Sequence, residues 1–147
     1  MNIKIINGPN LNLLGERDNA IYGKETLNEI KNWLKNKINS EQTVEWFQSN
    51  HEGEIIDEIH KSINTCEGII INPGAFTHYS YAIRDAIEAA DIPTVEVHLS
   101  DIHNREDFRK NSVIKDVCMD QIFGLGKTGY LNAVKMLIIY KSKNKNS

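Results

Sequence analysis

The sequence has few cysteines and no long apolar run, and both features bear on where the chain works. It contains only two cysteines, Cys66 and Cys118, and their spacing fits no metal-binding motif. Two isolated thiols in a chain of this size are typical of free cysteines in a reducing compartment. No apolar run approaches the ~18 residues that a membrane span requires, and the first residues lack the apolar core of a signal peptide. We therefore expect a cytoplasmic protein that does not interact with membranes.

The chain also lacks a strong charge of either sign. Its 17 Lys and Arg residues against 20 Asp and Glu residues give a net charge of −3, and no basic stripe follows any predicted helix. This argues against a nucleic-acid-binding protein, although a small anionic ligand is compatible with it. Hydrophobic residues make up 40 % and charged residues 25 %, as in ordinary globular proteins. We expect a single catalytic domain over residues 1–147, with a frayed basic tail at about 141–147.

Short apolar runs alternate with segments of helical period along the chain. The runs predict five strands, at residues 3–6, 43–48, 68–71, 93–99 and 119–123. The helical segments begin after Thr26, whose spacing to Glu29 is a capping-box signature, and continue around Ile55–Ile63, over 76–90 and over 128–140. This alternation predicts an α/β protein with a parallel sheet and helices on both faces. Five such units favour a flavodoxin-like three-layer fold with strand order 2-1-3-4-5.

Polar residues collect directly after three of the predicted strands. Asn7 to Asn10 follow the first strand, Asn72 to His78 follow the third, and the fourth delivers Glu96 to Ser100. In the order 2-1-3-4-5, ligands bind beyond the carboxyl ends of the strands, where strand one meets strand three. Each loop taken singly could be ordinary turn chemistry. Their convergence at one sheet edge favours a functional site there.

These clusters resemble the type II 3-dehydroquinate dehydratases, and the resemblance covers nearly the whole chain in order and at compatible spacing. The matching motifs are Asn7-Gly8-Pro9-Asn10-Leu11, Arg17, Tyr22-Gly23, Asn72-Pro73-Gly74-Ala75, Thr77-His78, Arg84-Asp85, Glu96-Val97-His98-Leu99-Ser100, Arg105-Glu106, Phe108-Arg109, Gly124-Leu125-Gly126 and Gly129-Tyr130. The resemblance implies an anti elimination that converts 3-dehydroquinate into 3-dehydroshikimate through an enolate, without a cofactor or a metal. It also implies a homododecamer built as a tetramer of trimers. The residues fit a step in the shikimate pathway of chorismate and aromatic amino acid biosynthesis as well as they fit quinate breakdown.

The resemblance also implies a role for each site residue. Tyr22 matches the base and Arg17 its activator, since a tyrosine has an ordinary pKa near 10 and a nearby cation lowers that of an acid. His98 matches the general acid, for which a pKa near 6.5 is suitable. Asn10 matches the group that steadies the enolate through a held water. The groups that match substrate-binding residues are Asn72, His78, Asp85, Leu99, Ser100 and Arg109, of which Asp85 would reach the site of a neighbouring subunit.

Several points stay open at the level of sequence. Glu96 points to the same strand face as His98 and could orient His98, orient Arg17 or form only a salt bridge. The stretch from residue 8 to residue 23 is too long for a plain turn, and we expect a lid that becomes ordered with ligand. Asn111 stands where the family commonly has a histidine.

The sequence supports three other functions less well. The run from Gly124 to Gly129 fits the dinucleotide fingerprint and partly the P-loop, but no strand with an acidic ribose ligand follows it. We interpret it as close packing of a helix start against the sheet. A metal site could use two histidines and a carboxylate from the set His78, Glu96, His98, Asp101 and His103. A flavodoxin or receiver module would need a phosphate loop or acidic residues directly after strand one, where Asn7-Gly8-Pro9-Asn10 stands.

Overall fold

The computed structural model describes residues 1–16 and 18–145, in which strands and helices alternate. The strands are β1 (Asn2–Asn7), β2 (Thr43–Gln48), β3 (Gly68–Asn72), β4 (Thr94–His98) and β5 (Asp120–Phe123). The α-helices are α1 (Asn19–Tyr22), α2 (Leu27–Lys35), α3 (Glu52–Ser62), α4 (Tyr81–Ala90) and α5 (Thr128–Asn144). Short 3₁₀ helices cover Leu11–Leu13, Gly74–His78, Ile102–Asn104, Asp107–Lys110 and Lys115–Val117. All neighbouring strands pair in parallel in the order β2-β1-β3-β4-β5, which confirms the predicted fold.

Each face of the sheet is covered by a pair of helices. On β3, Ile70 packs into one core with residues of α2 and α5, whereas Ile69 and Ile71 pack into the other core with residues of α3 and α4. All three isoleucines are 0 % exposed. A strand buried on both faces has no need of polar alternation, which explains the continuous apolar run in the sequence.

Side-chain caps set where two of the helices begin. The Thr26 hydroxyl accepts the Glu29 N–H at 3.1 Å, so the predicted capping signature is confirmed. The single helix predicted over 76–90 is wrong at its start: a 3₁₀ helix ends at His78, and α4 begins only at Tyr81. The Ser80 hydroxyl accepts the Ile83 N–H at 3.0 Å, and this cap starts a new helix rather than continuing the previous turn.

The last helix is longer than the sequence indicated. It continues to Asn144, so residues 141–144 are helical and the predicted end at residue 140 is wrong. The Lys141 ammonium forms an ion pair with Glu67, a contact between segments far apart in the sequence that helical period does not reveal. Within the part of the chain that the structure describes, no helix combines the length and apolar character needed to cross a bilayer.

The glycine run before α5 serves packing, as predicted. A Cβ atom on Gly129 would lie 3.2 Å from Val97 Cγ1 and 3.4 Å from Ile122 Cγ2. Real side chains rarely tolerate contacts this close, so glycine lets the start of α5 lie directly against β4 and β5. The motif therefore has a structural explanation that involves no nucleotide.

A buried cation links α3 to strands β1 and β2 of the sheet. Lys4 on β1 is 8 % exposed, and its Nζ lies 2.6 Å from Glu58 Oε1 on α3 and 2.7 Å from Glu45 Oε2 on β2. Burial alone would lower the pKa of Lys4, but the hydrogen bonds and charges of the two carboxylates outweigh it and raise that pKa. The ammonium is therefore charged, and its removal would leave Glu58 with only the exposed Lys61, at 3.9 Å.

We expect Lys4→Met to lower the free energy of unfolding by about 3 kcal/mol, because it leaves a buried carboxylate uncompensated. The double variant Lys4→Met/Glu58→Leu should recover most of that loss, since apolar residues can replace a buried ion pair. Urea denaturation measures both values. Lys61→Met is the matched control, because Lys61 is exposed and lies 3.9 Å from the same Glu58, and it should change stability by less than about 1 kcal/mol. An unrecovered loss in the double variant would contradict this account.

Candidate active site

A pocket opens at the carboxyl edge of the sheet, where β1 meets β3. Its lining comes from the segments that follow β1, β3 and β4, together with α1. The lining residues are Pro9, Asn10, Leu11, Tyr22, Asn72, Gly74, Ala75, His78, His98, Leu99, Ser100, Ile102, Arg105 and Arg109. This is the position at which parallel α/β sheets bind ligands, and eight of the side chains singled out in the sequence meet there.

The segments after β1 and β3 pack against each other with almost no space between their backbones. The Gly8 N–H donates to Asn72 O at 2.8 Å. A Cβ atom on Gly8 would lie 2.5 Å from Pro73 O, and one on Gly74, whose φ is +59°, would lie 3.1 Å from Pro9 O. Only glycine accommodates contacts of this kind, so the two glycines fix one wall of the pocket.

A fully buried carboxylate holds the pocket histidine. Glu96 is 0 % exposed and His98 is 5 % exposed, and His98 Nε2 hydrogen-bonds to Glu96 Oε2. The Thr77 hydroxyl donates to the same oxygen at 2.6 Å, and Ser112 Oγ lies 2.8 Å from Oε1 and 2.9 Å from Oε2. Burial would raise the pKa of Glu96, but the hydrogen bond and charge of His98 and the two hydroxyl donors together lower it. The carboxylate is therefore ionised.

Of the three interpretations of Glu96 that the sequence left open, the structure supports contact with His98. An ionised carboxylate only accepts hydrogen bonds, so His98 carries a proton on Nε2. The other ring nitrogen, Nδ1, is then the one available to act on a ligand. Sequence reasoning did not assign Thr77 or Ser112 to the site, because a hydroxyl that contacts a neighbouring strand produces no pattern along the chain.

The pocket tyrosine is held by an arginine that the sequence analysis left unassigned. Arg105 Nη1 donates to Tyr22 Oη at 2.8 Å, and its Cζ lies 5.2 Å from the centre of the tyrosine ring. Arg105 belongs to one of the matching motifs, which was the available signal, but it follows Tyr22 by 83 residues. The predicted partner, Arg17, lies outside the described residues.

His78 is fixed by the backbone of the segment after the 3₁₀ helix Asp107–Lys110. Its Nδ1 lies 2.7 Å from Asn111 O, and since a carbonyl only accepts, Nδ1 carries the proton. Burial lowers the pKa of His78, with smaller contributions from His98 and Arg109. The neutral ring then has an unprotonated Nε2 that can accept a hydrogen bond. Because the contact uses the Asn111 carbonyl, it does not depend on the side chain by which this chain departs from its family.

Asn72 belongs to a buried chain of hydrogen bonds under the pocket. Its Nδ2 donates to Tyr130 Oη at 3.4 Å, and its Oδ1 accepts the Gly74 N–H at 3.3 Å. Tyr130 is 0 % exposed and donates to Asn7 Oδ1. Burial raises the pKa of Tyr130, so its hydroxyl is neutral and can donate. These contacts fix the orientation of the Asn72 amide, with its nitrogen towards Tyr130 and its oxygen towards Gly74.

The predicted carboxylate seat lies where β4 ends. The Leu99 and Ser100 carbonyls accept the N–H groups of Gly126 at 3.1 Å and Gly124 at 3.0 Å. These bonds direct both carbonyl oxygens towards the turn between β5 and α5. The Ser100 side chain lines the pocket, as the sequence predicted.

Two further predicted residues line the pocket, and one does not. Asn10 has a left-handed φ of 69°, and its N–H donates to Asn50 Oδ1 at 3.0 Å. Arg109 Nε donates to Glu106 Oε2 at 2.6 Å. Asp85 is exposed on α4 and is not among the lining residues of this pocket. Its predicted role involves a neighbouring subunit's site.

The residues of the metal hypothesis do not assemble into one cluster. Asp101 Oδ1 accepts the His103 N–H at 3.0 Å, and the His103 ring packs against Phe123 with centroids 4.4 Å apart. Glu96 hydrogen-bonds to His98, and its other partners are the hydroxyls of Thr77 and Ser112, which are not metal ligands of the proposed set. Across residues 1–16 and 18–145, no three His, Cys, Asp or Glu side chains are grouped closely enough to hold a metal ion.

Comparisons with known proteins agree with this geometry. The model of the family described as dehydroquinase class II matches residues 1–138. The chain is 55 % identical to a 3-dehydroquinate dehydratase of Caldicellulosiruptor saccharolyticus, over 92 % of this chain and 94 % of the relative. It is 52 % identical to that of Thermotoga neapolitana, over 92 % of both chains. The crystal structure of type II dehydroquinase from Butyrivibrio crossotus superposes with a TM-score of 0.90 at 49 % identity, over 93 % of this chain and 97 % of the other. The chain therefore belongs to the class II dehydroquinase family.

Proposed function

We propose that this chain removes water from 3-dehydroquinate to give 3-dehydroshikimate, by anti elimination through an enolate. The observation that carries the proposal is the presence of two proton-transfer groups in one pocket. Tyr22 is held by the guanidinium of Arg105, and His98 is held by the buried carboxylate of Glu96. Family membership and the relatives' name supply the substrate.

The first step breaks a C–H bond beside the ketone of the substrate. The Tyr22 oxygen, as phenolate, takes the proton, and the electron pair moves to the carbonyl oxygen to form an enolate. A guanidinium that donates to the phenol oxygen stabilises negative charge there, because charge-assisted hydrogen bonds are the strong ones. By resemblance we retain Arg17 as a second activating cation and Asn10 as the group that steadies the enolate through a water.

The second step breaks the bond from carbon to the leaving hydroxyl. The enolate electrons re-form the ketone, a carbon–carbon double bond forms in conjugation with it, and the hydroxyl leaves as water. In our proposal His98 enters this step as the imidazolium, with a proton on each ring nitrogen, and the departing oxygen takes the proton on Nδ1, the nitrogen that does not face Glu96. His98 is then neutral with its proton on Nε2, and the ionised Glu96 still accepts that proton in a hydrogen bond. General acid catalysis of this kind contributes typically 10²–10⁴-fold to a rate.

The remaining pocket groups suit a polyhydroxylated carboxylate. In our proposal the Ser100 hydroxyl and the backbone N–H groups of Leu99 and Ser100 hold the carboxylate. Asn72 and Arg109 donate to ring hydroxyls, and the neutral His78 accepts from one. None of these steps calls for a cofactor. We further propose that residues 1–147 form a single catalytic domain that acts in the cytoplasm, in the shikimate pathway.

We also propose that the chain assembles as a homododecamer, a tetramer of trimers, in which Asp85 reaches a neighbour's pocket. The exposure of Asp85 on α4 supports this role, because a residue that serves a neighbour must be accessible on its own subunit. Two tyrosines near it, Tyr79 and Tyr81, are 59 % and 65 % exposed. Aromatic side chains in such positions are enriched at protein interfaces.

The test of the reaction is an absorbance assay for the conjugated product with purified chain and 3-dehydroquinate. We expect turnover by the wild type and a loss of at least about 100-fold in kcat for Tyr22→Phe and for His98→Ala, since each removes a proton-transfer group. Tyr140→Phe, at a tyrosine on the far end of α5, should retain wild-type kcat. An inactive wild type, or a fully active Tyr22→Phe, would rule the proposal out.

Arg105→Gln should lower kcat by about tenfold to a hundredfold, because a charged donor to the Tyr22 oxygen becomes a neutral one. Arg105→Lys should retain more activity, since it keeps the charge and loses only the planar fork. Steady-state kinetics at a fixed pH compare the two variants. Equal rates for Arg105→Gln and the wild type would show that another group activates Tyr22.

Subunit mixing tests whether Asp85 acts in a neighbour's site. Tyr22→Phe and Asp85→Ala should each be nearly inactive alone. When the two are unfolded and refolded together, hybrid assemblies contain sites with an intact Tyr22 from one chain and an intact Asp85 from another. We expect activity to reappear in the mixture and not in either variant refolded alone. A mixture as inactive as its components would contradict the shared site.

A further inference from the structure

We propose that Ser112 is a positioning residue for the general acid: its hydroxyl holds Glu96 in the orientation that fixes the ring and the tautomer of His98. The proposal rests on the proposed role of His98 and adds a residue that the site motifs do not include. It assigns a function to the short segment 111–113, which lies beside the pocket without lining it.

The geometry around Glu96 carries the inference. Ser112 Oγ is 2.8 Å from one carboxylate oxygen and 2.9 Å from the other, so it bridges both edges of the group. The Thr77 hydroxyl lies 2.6 Å from Oε2 and 3.1 Å from Ser112 Oγ. His98 occupies the remaining approach to Oε2. The two hydroxyls therefore leave the carboxylate one orientation, in which it accepts the proton on His98 Nε2.

The segment that presents Ser112 is itself fixed on both sides. Asn111 O accepts the Nδ1 proton of His78 at 2.7 Å. The Val113 N–H donates to Thr77 O at 2.8 Å. Ser112 cannot move away from Glu96 without breaking a contact to one of these two residues, and His78 lines the pocket. The segment thus sets the positions of the acid and of a hydroxyl-binding histidine together.

The backbone at Val113 is anchored from a further direction. Arg84 Nη1 donates to Val113 O at 2.7 Å, and Ser112 Oγ also accepts the Lys115 N–H at 3.1 Å. The Ser112 oxygen thus accepts from the Lys115 N–H, while its own proton is donated to the Glu96 carboxylate, which can only accept. Ser112 is therefore a hydrogen-bond donor to Glu96 and not only a neighbour of it.

The other titratable groups that face Glu96 do not take over the role of Ser112 in holding this carboxylate. They are His98 on β4, His78 on the 3₁₀ helix after β3, and the Cys118 thiol just before β5. His78 already donates its Nδ1 proton to Asn111. Burial and the charge of Glu96 raise the pKa of Cys118, so its thiol is neutral. The hydroxyls of Ser112 and Thr77 are thus neutral donors that act together with His98 to lower the pKa of Glu96.

The test is Ser112→Ala in the full chain, assayed on 3-dehydroquinate as a function of pH. We expect kcat to fall about tenfold while KM stays within about twofold, because Ser112 touches no substrate group. A hydrogen bond to the charged form favours that form, so its loss raises the pKa of Glu96. The carboxylate charge is present above that pKa and is lost as the pH falls through it, and the acidic limb of the kcat profile should therefore move to higher pH. Ser112→Thr, which keeps the hydroxyl, should restore both quantities.

A second readout is independent of turnover. The carboxyl ¹³C signal of Glu96 should titrate at higher pH in Ser112→Ala than in the wild type, and Ser112→Thr should reverse the change. If Ser112→Ala fails to fold, Thr77→Val removes the other hydroxyl and should move the same signal in the same direction. Ser62→Ala is the matched control, since it deletes a buried hydroxyl that donates to Glu58 O at 2.9 Å, and it should leave kcat and the profile unchanged.

The outcomes separate this inference from the proposed function. A wild type that does not dehydrate 3-dehydroquinate overturns the proposed function, and the Glu96 titration still decides whether Ser112 controls that carboxylate. An active wild type with an unchanged profile and an unchanged Glu96 titration in Ser112→Ala overturns the inference alone. A loss of thermal stability without either change would assign Ser112 a purely structural role.

Discussion

The carboxylate of Glu96 imposes the strictest physical constraint on this site. It is 0 % exposed, and an ionised carboxylate in a protein interior is costly unless every lone pair finds a donor. Here one histidine and two hydroxyls supply those donors. Each donor comes from a different segment of the chain, so the charge can be buried only when three segments are correctly placed. The need to pair the buried charge of Glu96 therefore fixes the relative positions of His98, Thr77 and Ser112 beside the pocket.

The fold meets that requirement through the way parallel strands end. The tight backbone contact between Gly8 and Pro73 closes the pocket on the side of β1 and β3, and the neighbouring strand β4 brings His98 into its lining. Tyr22 reaches the pocket from α1, and Arg105 reaches it from between the 3₁₀ helices Ile102–Asn104 and Asp107–Lys110. His98 is held at the sheet by buried hydrogen bonds, whereas Tyr22 lies on the short helix α1.

Much of the fold was predictable because it depends on local pattern. The apolar run at β3 and the cap at Thr26 are visible in consecutive residues, and strand order followed from the alternation of elements. The start of α4 was missed because the sequence does not show whether Ser80 lies inside one long helix or caps a new one. The contact of its hydroxyl with the Ile83 N–H makes it a cap. The end of α5 was missed because the lysine-rich composition of residues 141–144 was interpreted as a frayed tail, and the pairing of Lys141 with Glu67 is remote in sequence.

The candidate site also contains residues that local sequence pattern locates and residues that it does not. The pocket residues that follow strand ends, such as Asn72 and His98, could be located from the order of the strands. The groups that hold them could not, since Arg105, Ser112 and Tyr130 act through contacts between distant segments. Sequence reasoning thus found most of the residues that line the pocket, and Glu96 behind His98, but it missed the other groups that hold them in place. The substrate itself came from resemblance to a family and not from the physical pattern.

The central claim is that a tyrosine base and a histidine acid act on opposite faces of one ring. The most direct measurement uses 3-dehydroquinate that carries deuterium at one of the two positions on the carbon between the ketone and the leaving hydroxyl. Mass spectrometry of the product then shows which hydrogen is removed. Our account predicts that the deuterium anti to the leaving hydroxyl is lost to solvent and that the syn deuterium is retained. Loss of the syn deuterium with retention of the anti deuterium would contradict it.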